Sequence, residues 1–175
     1  RYELRGRNGV GKSTLVKSIV STYDQSLFFP GKVFAGLIDL APQTKIGLYE
    51  QELEADYLKL NVEEAVYSFY DKLGQNITDQ NIRSILSNYL FDPSKDLHQR
   101  VANLSGGQKA RLQLVKMFAN EPNLLILDEP TNHLDLPSIE ELEEALKNYQ
   151  GAILYVSHDT YFRKNIGGEV LEIGK

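Results

Sequence analysis

Apolar residues fall along the chain in two rhythms. Unbroken runs at "LLILD", Leu124 to Asp128, and "AILYVS", Ala152 to Ser157, read as strands buried on both faces. Shorter strand candidates lie at Tyr2 to Leu4, Lys32 to Ala35 and Ile46 to Tyr49, and the chain ends on the strand-like "EVLEIG". Helical spacing predicts a helix from about Lys12 to Thr22, then two amphipathic stripes: Val62, Ala65, Val66, Phe69 and Leu73, followed by Ile82, Ile85, Leu86, Tyr89 and Leu90. "DPSKDLHQRVAN" reads as loop, and a further helix is expected to start near Ser105. In "SIEELEEALKNY", Ile139, Leu142, Leu146 and Tyr149 recur at helical spacing. Glu140, Glu141, Glu143 and Glu144 fill the positions between and read as a solvated face near the positive end of that helix. Strands alternating with helices give an α/β class, with the middle of the chain as a helical insertion.

Composition narrows the picture. A chain of 175 residues, 42% hydrophobic, suits one domain with a sizeable core. Its longest apolar runs fall far short of the roughly 18 residues a bilayer crossing needs, and "RYELRGRNG" lacks the features of a signal peptide. No direct membrane insertion is expected. The absence of cysteine excludes disulfide scaffolds and Cys-ligated metals and fits a reducing, cytoplasmic location. The three histidines have no metal-type spacing, and a net charge of -5 argues against broad attraction to nucleic acid.

The first chemistry is "GRNGVGKST", Gly6 to Thr14, a G-x-x-x-x-G-K-[ST] loop between a strand and a helix. Its glycines let the backbone curl so that N–H groups from about Gly9 to Thr14 point at phosphate oxygens, aided by the helix's positive end. Asn8, Gly9, Val10, Gly11, Lys12, Ser13 and Thr14 are the candidate phosphate-binding residues. Lys12 is expected to reach the β- and γ-phosphates, and Ser13 to offer a hydroxyl to Mg2+. Barely a strand precedes Gly6, so the N-terminal edge is expected to be truncated. Tyr2 is expected to be an inner part of that strand with a structural role.

The second half of the site is "LLILDE". Asp128, ending a buried strand, is placed to hold Mg2+ through water, and Glu129 to orient the attacking water, which favours hydrolysis. His158 in "ILYVSHD" follows another strand and could donate to the γ-phosphate. Gln51 in "IGLYEQE" could offer its amide oxygen to Mg2+ or its water.

With "LSGGQKARLQL", Leu104 to Leu114, the motifs "GRNGVGKST", "YEQE", "LLILDEPTNHLD" and "YVSHDTYF" fall in one order, and together they resemble the nucleotide-binding domain of ATP-binding cassette (ABC) proteins over almost the whole chain. The resemblance implies a P-loop NTPase core of the RecA type, about 1–54 and 122–175, an α-helical signature lobe of about 55–121, and a head-to-tail pair of cassettes sharing ATP. Ser105, Gly106, Gly107 and Gln108 would then meet the γ-phosphate of ATP held by a second cassette. Two glycines at a helix start permit close approach to an anion, and "SGG" also reads as a helix cap. By the same resemblance Gln51 is the Q-loop glutamine, Asp135 the D-loop aspartate, His158 the switch histidine and Glu129 the catalytic carboxylate. The aromatic residue that stacks on adenine in the family lies upstream of the P-loop and has no counterpart in this chain.

"NHLD", Asn132 to Asp135, together with "SGGQKARLQL" and "VSHDTYF", resembles the ABC-F group of soluble two-cassette proteins that act on the ribosome. Transporter subunits more often carry a small-residue version such as "SALD" there. The resemblance therefore implies a ribosome-associated ATPase, with the nucleotide-binding subunit of a transporter, docked on a permease, as the alternative.

Overall fold

A computed structural model describes residues 1–23, 36–50, 52–132 and 134–174. The strand expected at Lys32 to Ala35 lies outside them. Five parallel strands form one sheet among the described residues: β1 (Tyr2–Arg5), β2 (Ile46–Tyr49), β3 (Leu124–Asp128), β4 (Ala152–Val156) and β5 (Glu169–Glu172), in the order β2-β3-β4-β1-β5. The helices are α1 (Lys12–Tyr23), α2 (Val62–Lys72), α3 (Asp79–Asn88), α4 (Gly106–Phe118), α5 (Leu136–Asn148) and α6 (Thr160–Ile166).

The unbroken run of β3 is what a central strand requires. Successive side chains point to opposite faces, so Leu125 and Leu127 join Ile153, Tyr155 and Phe162 on one side, while Ile126 joins Leu4, Val16 and Val156 on the other. Both faces are covered, by α5 and α6 on the first and by α1 on the second. All five strands run parallel, so their carboxyl ends share one edge, and the turns after β1, β3 and β4 deliver Gly6, Glu129 and His158 there.

A separate core joins α2, α3 and α4 around Val62, Val66, Phe69, Leu86 and Leu112, all 3% exposed or less. Asn61 starts α2 with a reciprocal capping box to Glu64, and Thr78 caps α3. The predicted stripes run past the helices that carry them. Leu73 and Leu90 are exposed, because α2 ends at Lys72, α3 ends at Asn88 and the backbone at Leu90 turns left-handed with φ 58°.

Two other expectations need correction, and one helix was not expected. β1 is an interior strand whose Glu3 and Leu4 are buried on opposite faces, but the side chain of Tyr2, the first residue of the strand, is exposed. The acidic side of α5 is not uniformly solvated: Glu143 is buried, accepting from Asn165 Nδ2 at 2.7 Å, and Glu141 pairs with Arg111 of α4 at 3.3 Å. Helix α6 has no counterpart in the sequence reading.

Candidate active site

The P-loop bends through Gly9 and Gly11, whose φ angles of 78° and 103° are left-handed values that glycine adopts at little cost. Within it, the Val10 N–H donates to the Arg7 carbonyl at 3.3 Å and the Leu15 N–H to the Gly11 carbonyl at 2.9 Å. Val10 is therefore not part of the inward row of donors; its side chain packs against Gly6 and Gly174 instead. Lys12, Ser13 and Thr14 open α1, where backbone N–H groups have no intrahelical acceptor. Their donors and the helix's positive end face a cleft of about 410 Å³. Asn8, Gly9, Gly11, Lys12, Ser13 and Thr14 line one side of it, and Glu129, Asn132, Val156 and His158 the other.

The Lys12 side chain is folded over the loop that precedes it. Its Nζ donates to the carbonyls of Gly6 at 3.0 Å and Arg7 at 3.3 Å, and the residue is 9% exposed. The ammonium is thus held at the cleft by the backbone of its own loop, and reaching an anion there means exchanging carbonyl partners for phosphate oxygens.

Asp128 ends β3 with its Oδ1 buried and lacking a hydrogen-bond partner. An unpartnered buried carboxylate oxygen is costly in isolation. Glu129 follows in a left-handed conformation, φ 51°, unusual for a non-glycine residue and a form of strain found at functional sites. Its backbone N–H donates to the Val156 carbonyl at 2.9 Å, which ties the turn to β4. Its carboxylate accepts from the His158 N–H at 3.0 Å through Oε2, while Oε1 lies 3.3 Å from His158 Nε2 and has no hydrogen-bond partner. The His158 side chain is 63% exposed against 16% for Glu129, so the carboxylate is recessed and the imidazole lies toward solvent.

Asp159 caps α6, accepting from the N–H groups of Tyr161 at 2.8 Å and Phe162 at 3.1 Å. The buried Phe162 ring meets Tyr155 edge-on at 5.9 Å, so the segment after His158 is anchored in the core.

Ser105, Gly106, Gly107, Gln108 and Asp135 do not line this cleft. Ser105 caps α4: its Oγ accepts from the Gln108 N–H at 3.2 Å, while Gln108 Oε1 accepts from the Ser105 N–H at 3.1 Å. The Gln108 side chain is therefore turned back on its own helix, with Nε2 3.5 Å from Asp96. Asp135 caps α5 by accepting from the Ser138 N–H at 3.1 Å and from the Ser138 hydroxyl, and these bonds hold its carboxyl below the usual aspartate range. A Cβ added at Gly107 would stand 3.4 Å from the Ser138 hydroxyl, so the two caps adjoin.

One sequence candidate, Gln51, lies outside the described residues, as does His133 of "NHLD". Asn132 carried no chemical role in the sequence reading, yet it lines the cleft opposite the P-loop. Only its place in "NHLD" marked it.

The donor set suits a small hard cation. Ser13 lines the cleft, and Asp128, which does not line it, has a buried unpartnered oxygen at the end of β3; a hydroxyl and a carboxylate are the sparse protein share that Mg2+ accepts when phosphates and water complete its shell. Among the described residues no group of three or more His, Asp or Glu side chains could form an all-protein cage.

Residues 1–132 match the family model described as ABC transporter. Among curated proteins, YdiF of Bacillus subtilis (strain 168) is 42% identical over 97% of this chain and 24% of its own length. ABC transporter F family member 5 of Arabidopsis thaliana is 38% identical over 99% of this chain and 23% of its own. The chain thus spans about a quarter of the length of these relatives. Among solved structures, the ATP-binding cassette MJ0796, a dimer in a post-hydrolysis state bound to ADP and Pi, superposes with a TM-score of 0.67 at 21% identity, covering 98% of this chain and 80% of that one. That likeness is one of fold.

Proposed function

The chain belongs to the ABC transporter family, whose cassettes are ATPases, and from that premise we propose that it binds Mg-ATP in the cleft between the P-loop and the Glu129–His158 edge. Hydrolysis occurs when a second cassette packs against it head to tail, and the full-length protein is a soluble ABC-F factor working on the ribosome. The observation that carries the hydrolytic reading is the recessed Glu129 carboxylate, held by the His158 N–H at 3.0 Å across the cleft from the P-loop donors.

The chain's own groups divide the work. The amides of Gly9, Gly11 and the first turn of α1, together with Lys12, hold the triphosphate. Ser13, Asp128 and Gln51 hold Mg2+, which when bound offsets charge on the β- and γ-phosphates. Glu129 orients a water and takes its proton, and His158 contacts the γ-phosphate while fixing the carboxylate through its backbone. Ser105, Gly106 and Gly107 stand away from their own cleft at an exposed helix start, the placement required if they serve the nucleotide of a partner. Gln108 contributes through the Ser105 cap, and Asp135 supports the pairing surface beside it.

The ABC-F assignment is supported by the F family relative in Arabidopsis and by the "NHLD" and "SGGQKARLQL" wording. It is tested by sedimenting the full-length protein carrying Glu129→Gln with ribosomes in the presence of ATP. Nucleotide-dependent co-sedimentation is expected. Failure to co-sediment, together with co-purification of a membrane permease, would move the assignment to a transporter subunit.

A further inference from the structure

β5 pairs with β1 in a register that sets Glu172 beside Arg5, and one residue further the Ile173 N–H donates to the Arg5 carbonyl at 2.9 Å. The chain leaving β5 therefore runs beside the start of the P-loop. Two glycines make the approach possible. A Cβ added at Gly6 would stand 2.7 Å from the Ile173 carbonyl and 2.8 Å from Val10 Cγ1, and one added at Gly174 would overlap Val10 Cγ2 and come within 3.3 Å of Val10 Cβ. The Val10 side chain thus sits in a notch between a glycine of its own loop and a glycine of the segment after β5.

Two bonds connect this notch to the phosphate cradle. The Val10 N–H donates to the Arg7 carbonyl at 3.3 Å, and the Gly6 carbonyl accepts from Lys12 Nζ at 3.0 Å. Gly6 is held between Val10 and the Ile173 carbonyl, so the ammonium bonded to it is placed by the same contacts. Gly9 and Gly11, on either side of Val10, line the cleft, and displacing Val10 would turn the peptides that carry their donors. Gly174 itself does not line the cleft and lies outside the G-x-x-x-x-G-K-[ST] motif.

We propose that Gly174 is a positioning residue for nucleotide binding: by leaving room for the Val10 side chain, the segment after β5 sets the curl of the P-loop and the place of Lys12 within it. The inference rests on the reading of this cleft as the ATP site. Gly174 acts by leaving space, so any side chain at that position presses on Val10 whatever its polarity. Its left-handed φ of 81° adds a separate backbone cost for most other residues.

Isothermal titration of Mg-ATP into the full-length protein separates the contact from the backbone cost. Gly174→Ala is expected to raise Kd about tenfold, comparable to the loss of one charge-assisted phosphate contact. Gly174→Asn, which tolerates the left-handed backbone but carries the same Cβ, should do the same. Against Val10→Ala as the background, which removes the methyl groups that fill the notch, adding Gly174→Ala should change Kd by less than about twofold. The backbone cost at residue 174 persists there, so Gly174→Ala lowers the thermal midpoint in both backgrounds. A parental Kd in either Gly174→Ala or Gly174→Asn would overturn the proposal. So would an equal loss with and without Val10→Ala, which would make the effect one of strain at residue 174 alone. Lys12→Ala in the parental protein separates the two levels: if it leaves ATP binding intact, the cleft is not the ATP site; if it weakens binding while the Gly174 variants bind normally, only the role of Gly174 fails.

Discussion

His158 meets Glu129 twice, donating its backbone N–H to Oε2 at 3.0 Å and placing Nε2 3.3 Å from Oε1. The turn after β4 thus fixes the carboxylate that follows β3, and only the ring depends on the identity of residue 158. His158→Ala keeps the backbone contact and removes the imidazole. It should lower kcat by about tenfold to hundredfold, a usual range for one proton-handling or charge-sensing group, with equilibrium ATP binding little changed. Steady-state turnover beside a fluorescent-nucleotide titration checks both.

Lys12 is held by the carbonyls of Gly6 and Arg7, so its charge is already aimed at the cleft before a ligand arrives. Lys12→Ala should weaken ATP binding at least about tenfold, as expected for loss of a charge-assisted phosphate contact. Isothermal titration with ATP in the presence of Mg2+ reads this directly, and a circular dichroism spectrum should show the fold retained.

Gly106 and Gly107 differ in what surrounds them. A Cβ at Gly106 meets nothing within 4 Å, whereas one at Gly107 stands 3.4 Å from the Ser138 hydroxyl. Gly106→Ala should therefore leave the thermal midpoint unchanged and still reduce turnover of the paired cassettes, because the backbone can no longer come as close to a partner's phosphate. Gly107→Val should lower both stability and turnover by pressing on the cap of α5. Thermal melts and ATPase rates on the same preparations distinguish the two.

Glu3 of β1 is buried and bonded to Arg5, at 2.8 Å through both oxygens, and to Arg163 at 3.4 Å. The Arg5 hydrogen bonds, joined by the charges of both arginines, hold its carboxyl below the usual glutamate range despite the opposing effect of burial. A carboxyl depressed in the folded state stabilises the fold fully above its unfolded pKa and loses that contribution as pH falls through the folded value. Glu3→Gln should lower stability near neutral pH and flatten the acid side of the stability curve. Urea unfolding between pH 7 and about pH 3, a window set by the ordinary glutamate value, measures that slope.

What the sequence showed depended on how many residues carried each signal. β3 was legible to the residue because four consecutive branched apolar side chains leave no face for water, and Ser105 was legible as a helix start because "SGG" after a loop reads as a cap; the reciprocal bond from Gln108 came only with the structure. α6 was not legible: seven residues give too few turns for a periodic stripe, and its anchors are the Asp159 cap and the single buried ring of Phe162. Glu143 was misread as solvated because its partner Asn165 comes from α6 and is 22 residues away. At the site, the P-loop and Asp128–Glu129 could be placed from spacing, but the turning-away of Val10 and the carbonyl bonds that hold Lys12 at the cleft depend on contacts that no local pattern encodes.

The central claim is that Glu129 activates the water that attacks ATP bound at the P-loop. Single-turnover hydrolysis of radiolabelled ATP by the full-length protein carrying Glu129→Gln tests it most directly, since the amide preserves shape while abolishing the base. The account predicts a chemical step slowed at least a hundredfold, roughly the worth of one general base, with ATP still bound and the closed, paired state accumulating. Hydrolysis at the parental rate would contradict it.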